Sequence, residues 1–110
     1  MSEENLRIVV TTDPAGVIVA SVAGELDIVS AEQLRNLLRR VLVEHTDIVL
    51  DLSEVTFCDC SGLRVLRAAG RAAEHAGTRL RLRSPSTAMD RILKATRAEA
   101  AFTIEPPPNA

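Results

Sequence analysis

Residues 48–77 constrain the fold of this chain more than any other stretch. Ile48-Val49-Leu50-Asp51-Leu52 is a dense apolar run broken by one acid, which reads as a central, largely buried strand. Leu63, Leu66, Ala69, Gly70 and Ala73 then recur at helical spacing, and Gly77 follows as a C-terminal stop. At the junction, near Phe57, stand Asp59-Cys60-Ser61-Gly62: a carboxylate, a thiol, a hydroxyl and a glycine side by side. A strand that hands over to a helix rejoins its sheet by a crossover, so parallel pairing is expected. A helix N-terminus also carries free backbone N–H groups and a partial positive charge, which suits it to hold a phosphate.

The flanking patterns extend this plan. Leu6 to Thr12 is β-branched and apolar in character, Asp13-Pro14-Ala15-Gly16 is a turn, and Val17 to Val22 returns as a second strand. Gly24-Glu25-Leu26-Asp27 ends that strand. Ser30, with Gln33 three residues on, predicts a capping box opening a helix, whose apolar stripe is Ala31, Leu34, Leu37, Leu38, Val41 and Leu42. The second helix is expected from about Ser61 to Ala76. Arg79-Leu80-Arg81-Leu82-Arg83 alternates strictly, predicting a strand with one wet face of arginines. Ser84-Pro85 is expected to start a third helix with Pro at its first position, and Met89, Ile92 and Leu93 form its stripe. Phe102-Thr103-Ile104 predicts a last short strand. The order ββαβαβαβ implies an α/β fold: one mixed sheet, an N-terminal hairpin plus parallel strands, with crossover helices. One domain is expected over residues 1–110, with a core of about 6–104 and a flexible Pro-rich tail at 105–110.

Composition narrows function. Two Phe and no Trp or Tyr leave no stacking platform for single-stranded nucleic acid, and a net charge of −2 argues against a general nucleic-acid binder. The charge is unevenly placed: residues 1–60 hold four Arg against eleven acids, and residues 61–110 hold nine Lys and Arg against four acids. Such asymmetry is either solvated surface or a means of orienting a charged partner. No signal peptide is visible, and no apolar run approaches the ~18 residues of a membrane span, so a cytoplasmic protein with no membrane partner is expected. Cys58 and Cys60 are then expected as reduced thiols.

Catalysis and metal binding find little support. Cys58 and Cys60 are separated by one residue, while His45 and His75 are far off in sequence, so no metal site is expected. There is no Gly-rich phosphate loop, and no His near Ser61 to serve as a base. An enzyme is not expected, nor is a cofactor. A Cys58–Cys60 disulfide is disfavoured, since residues two apart in an extended chain lie ~6.6 Å apart, at the long end of disulfide spacing. Cys58 is expected to pack as a small apolar side chain. Read alone, Asp59-Cys60-Ser61-Gly62-Leu63 is a helix cap in which Ser61 or Asp59 accepts backbone N–H bonds and Gly62 allows close packing. Arg64, Arg67 and Arg71 fall on one face of the second helix, as solvated surface or as a charged contact row.

Three features together carry a resemblance: the Val49-Leu50-Asp51-Leu52 strand, the Asp59-Cys60-Ser61-Gly62-Leu63 junction and the upstream Gly24-Glu25-Leu26-Asp27. They resemble, in order and spacing, the STAS family of sulfate transporter and anti-sigma factor antagonist domains, over about residues 6–104. The resemblance implies a free-standing anti-sigma factor antagonist. Its partner would be an anti-sigma factor, a serine kinase of the histidine-kinase-like ATPase type. The unmodified antagonist binds that partner and frees the sigma factor, and phosphorylation ends the binding. Asp27, Asp59, Cys60, Ser61, Gly62, Arg64 and Arg67 are the partner-binding positions it implies, and a monomer or weak dimer is expected. The family signature resembles Asp-Ser-Ser/Thr-Gly-Leu, with the first hydroxyl as phosphoacceptor. Here Cys60 takes that position and Ser61 the second. The alternatives are phosphorylation relocated to Ser61, binding as a scaffold or sensor-complex subunit without phosphorylation, and a thiol-based redox switch at Cys60, for which an intermolecular disulfide or glutathione adduct is the easier product. A helix N-terminus favours the Cys60 thiolate and Asp59 opposes it. Two further departures are Lys94-Ala95-Thr96-Arg97, where family members often carry a Gly, and the Pro-rich end, where many carry a final helix.

Overall fold

The structure is a computed structural model and describes residues 5–105. Five strands form one sheet in the order β1-β2-β3-β4-β5: β1 (Leu6–Thr12), β2 (Ile18–Leu26), β3 (Asp47–Cys58), β4 (Arg79–Arg83) and β5 (Thr103–Glu105). The β1/β2 hairpin is antiparallel and every other pairing is parallel, as the helical connections require. The connections are α1 (Ser30–Glu44), α2 (Cys60–Ala76) and α3 (Thr87–Ala95), the last followed by a 3-10 turn over Ala98–Ala101.

Register explains which face is the core. Ala20, Leu50 and Leu82 stand side by side across β2, β3 and β4 and are almost fully buried. They join Leu34 and Leu38 of α1, Leu66 of α2, and Met89 and Leu93 of α3 in one apolar cluster, so all three helices cover the same face. Sequence places the opposite row, Val49 and Arg81, one residue out of phase.

The central strand outruns its expected length. Alternation stops at Leu52 because Ser53-Glu54 intervene, but β3 continues to Cys58. Two register shifts against β2 allow this: Ser21 and Ala23 pair with Asp51 and Glu54, then Gly24 and Glu25 pair with Val55 and Phe57. Each shift gives β3 one extra residue, so Leu52, Val55 and Cys58 all face inward at a spacing of three. β2 likewise extends to Leu26. Gly24, at φ +113°, is required there because a Cβ would land on the Asn5 carbonyl oxygen.

Four local expectations are corrected. Ser30 and Gln33 form no capping box: Ser30 is already the first residue of α1, its hydroxyl donates to the Glu25 carbonyl at 2.6 Å, and Gln33 reaches the Leu6 carbonyl at 3.2 Å. α3 begins after Pro85, at Thr87, because Ser86 is the better cap and accepts the Met89 N–H at 3.1 Å. The β4 arginines are not simply a wet face. Arg81 pairs with Asp47 at 2.6 Å and Glu105 at 2.7 Å, and Arg83 pairs with Asp51 at 3.3 Å; Arg79 alone is exposed. Glu105 therefore belongs to the sheet rather than to the tail. The expected tail at 106–110 lies outside the described residues.

Candidate functional site: the edge where two helices begin

β2 and β3 are parallel neighbours, so their C-terminal ends, and the N-termini of α1 and α2 that follow, meet at one edge of the sheet. The two junctions are bonded to each other. Asp59 N–H donates to the Leu26 carbonyl at 3.2 Å, which puts Asp59 one backbone bond from the residue preceding Asp27. Gly62 seals the contact: a Cβ there would lie 2.6 Å from Leu26 Cγ and 2.9 Å from its carbonyl oxygen. Only the missing side chain lets α2 start against β2.

Each helix begins under a carboxylate. Asp59 Oδ1 accepts the N–H groups of Ser61 and Gly62 at 2.9 and 3.1 Å, which satisfies two of the free donors of α2. Asp27 Oδ1 accepts from the N–H groups of Val29 and Ser30 at 3.1 and 3.0 Å and from the Ser30 hydroxyl at 3.1 Å. The Ser30 backbone bond leads the interactions that hold the Asp27 carboxyl below its ordinary value of 3.8, so it remains an anion. Two negative charges therefore sit at two positive helix ends.

The two thiols differ sharply. Cys58 is buried in the core cluster, and burial, followed by the charges of Asp59 and Cys60, pushes its thiol from 9.0 up to about 12. It packs as the apolar side chain expected of it. Cys60, the first residue of α2, is exposed. Both are free thiols. Ser61 is half-buried and faces the space between α1 and α2.

The structure brings Asp27, Asp59, Cys60, Ser61 and Gly62 to this edge and spreads the arginines away from it. Arg64 lies one turn along α2 on the lip of the α1–α2 groove. Arg67 turns to the other flank, half-buried, with its Nε enclosed and unpartnered among the described residues. Sequence reasoning missed three apolar residues around the edge. Ile28 and Val29, 72% and 74% exposed, stand on the β2–α1 connection, and Phe57, 48% exposed, sits at the end of β3. The available signal was two β-branched residues between Asp27 and Ser30, lying outside the stripe of α1. Among the described residues no three His, Cys, Asp or Glu side chains are grouped to hold a metal, and no helix is long and apolar enough to cross a membrane.

A family-level match to the STAS domain covers residues 8–107, nearly the whole chain. The chain belongs to the STAS family. Among its relatives is the anti-sigma-F factor antagonist RsfB of Mycobacterium tuberculosis, 36% identical over 69 residues, a match covering 62% of this chain and 57% of RsfB. The STAS chain thus spans little more than half the length of that relative. The crystal structure of an anti-sigma factor antagonist from Mycobacterium paratuberculosis superposes with a TM-score of 0.83 at 28% identity, over 99% of this chain and 93% of that one. The anti-sigma factor antagonist SpoIIAA in its unphosphorylated form gives a TM-score of 0.74 at 20% identity over 90% and 88% of the two chains, a likeness of fold.

Proposed function

We propose that this STAS domain is an anti-sigma factor antagonist. It binds an anti-sigma factor, a serine kinase of the histidine-kinase-like ATPase type, and so releases a sigma factor for transcription. The contact surface is the edge built by Asp27, Asp59, Cys60, Ser61 and Gly62, with Arg64 and Arg67 along α2. The names of the mycobacterial relatives support the activity. The observation that carries the reading is the first turn of α2: an exposed residue 60 on the edge that also carries the Asp59 and Asp27 carboxylates and the exposed Ile28, Val29 and Phe57.

A phosphoryl group at residue 60 would add about −1.5 to −2 charges beside Asp59. Like-charge repulsion and the cost of desolvating the phosphoryl group would then expel a packed partner. A thiol is not the normal substrate of a serine kinase, so with Cys60 at that position the charge switch is disabled and binding persists. Against a relocation to Ser61 stands the half-buried place of that residue on the groove, whereas an acceptor must enter a kinase site. A second reading, redox control through Cys60, rests on that residue being the exposed thiol of the two. With Cys58 buried and protonated, its product would be an intermolecular disulfide or a glutathione adduct.

The test uses the purified chain and each histidine-kinase-like anti-sigma factor of its source organism, expressed singly. Calorimetric titration finds the partner. Intact mass after incubation with that partner and ATP should show no phosphoryl addition to the native chain and one addition to Cys60→Ser. A single addition to the native chain that Ser61→Ala abolishes overturns the disabled switch in favour of a relocated one. Binding to none of the kinases overturns the antagonist reading.

A further inference from the structure

From the switch edge a groove of about 510 Å³ runs between α1 and α2. Its walls are Ala31, Leu38 and Leu42 on one side and Val65, Ala68 and Ala72 on the other. The helices follow parallel strands and run in the same direction, so Ile28 and Ser61 mark one end and Leu42 and Ala72 the other. Eleven residue steps of each helix line it, roughly 16 Å or three turns. Ala68 and Ala72 are why it is open: a larger side chain at either position would close it.

Its rim is net cationic, with Arg35, Arg39 and Arg64 against Glu32. Glu32 and Arg35 are paired with each other at 3.1 Å. Arg39 on one wall and Arg64 on the other have no ion pair among the described residues. Exposed Ile28 and Val29 continue the apolar surface onto the switch edge. An apolar floor of three turns with a cationic rim fits one kind of occupant: an amphipathic helix with apolar residues at a spacing of three and four and carboxylates beside them. A second copy docked through these same helices is a poor match, because α1 and α2 together carry six arginines against three acids, Glu32, Glu44 and Glu74, a net charge of the same sign as the rim.

We propose that the α1–α2 groove receives an acidic amphipathic helix of the anti-sigma partner, extending the contact three turns beyond the switch residues. The inference rests on the antagonist reading above. The groove then supplies affinity and the switch edge supplies control, at opposite ends of one surface.

Ala68→Glu and Ala72→Glu test it, since both positions are exposed and tolerate the change without touching the core. Both fill the groove and place an anion against the helix. Titration against the kinase that binds the native chain should show at least tenfold weaker binding for each, with unchanged circular dichroism and denaturation midpoint. Arg39→Glu should weaken binding and flatten its dependence on salt. Native binding with unaffected groove variants overturns the groove and leaves the antagonist reading standing. A native dimer in sedimentation that Ala72→Glu dissociates, with kinase binding unchanged, assigns the groove to a second copy and overturns the proposal. No kinase binding by the native chain overturns both readings.

Discussion

The buried thiol gives the sharpest quantitative prediction, because the alkaline titration of this chain is unusually simple. It has no Tyr and a single Lys, Lys94, so few groups other than thiols change charge between pH 8 and 10 in the unfolded chain. Cys58 ionises near 9.0 when unfolded and near 12 when folded, chiefly because burial penalises the thiolate. Above pH 9 the unfolded chain has therefore released a proton that the folded chain still holds, and stability falls as pH rises. With these two values the loss is negligible at pH 7 and about 1 kcal/mol at pH 10. Urea denaturation under reducing conditions at both pH values measures it. Cys58→Ala should start lower, because it removes a buried sulfur, but should lose about 1 kcal/mol less than the native chain between the two pH values. Lys94, held above its ordinary value by hydrogen bonding to Asp90, contributes in the same direction, so Lys94→Arg serves as the control that keeps the charge. Equal losses in the native chain and in Cys58→Ala would refute the assignment of Cys58 as a protonated core residue. So would equal rates of labelling of Cys58 and Cys60 by a thiol reagent at pH 8.

Three other outcomes follow from single contacts. Gly62→Ala drives a methyl into Leu26, and overpacking outweighs the helix-propensity gain in the first turn, so unfolding free energy should drop by about 1 to 2 kcal/mol in urea titration. Arg97 holds φ +57° just before the 3-10 turn, a left-handed conformation that glycine adopts without strain; Arg97→Gly should raise stability by about 0.5 to 1 kcal/mol, read as a higher thermal midpoint. Burial opposes ionisation of Asp51, but hydrogen bonds from the Ser53 backbone and hydroxyl and the charge and hydrogen bond of Arg83 outweigh it and lower its carboxyl from 3.8. Its contribution is therefore complete above pH 3.8 and is lost as pH falls through the lower folded value, so denaturation midpoints from pH 5 to 3 should fall less steeply in Asp51→Asn.

What could be read from the sequence divides along a physical line. Element type and order, the mixed sheet and the inward stripes of α1, α2 and α3 followed from local periodicity, because each depends on residues close together in the chain. The Gly77 stop, at φ +74°, was legible for the same reason, and the α2 cap was narrowed to Ser61 or Asp59, of which Asp59 is the one that caps. The misses depend on what comes near from elsewhere. β3 runs six residues past Leu52 only because β2 tolerates two register shifts beside it. Ser30 forgoes its expected capping bond because the Glu25 carbonyl is closer to hand, and Arg81 and Arg83 leave solvent because Asp47, Asp51 and Glu105 line up across the sheet. The groove was illegible for that reason too. Alanines at 68 and 72 read as indifferent helix formers until α1 is set beside them.

The same distinction bears on the residue that departs from the STAS pattern. In the first turn of α2 the bonds to the free N–H groups come from Asp59, not from the side chain at 60. The close approach to β2 depends on Gly62, and the opposite cap on Asp27. Position 60 points outward from a turn that its neighbours already hold in place. Exchanging hydroxyl for thiol there leaves the cap, the sheet edge and the groove as they are, and changes only what chemistry can reach the exposed atom. Under the proposed function binding and control occupy neighbouring residues, so one substitution alters control without rebuilding the surface. That logic requires Cys60→Ser to match the native chain in stability and in partner affinity before ATP is added, and to differ from it only afterwards. A change in unmodified affinity of more than about threefold, equivalent to about 0.6 kcal/mol, would mean that the thiol contributes to the contact something that a hydroxyl does not, and that the substitution alters binding as well as control.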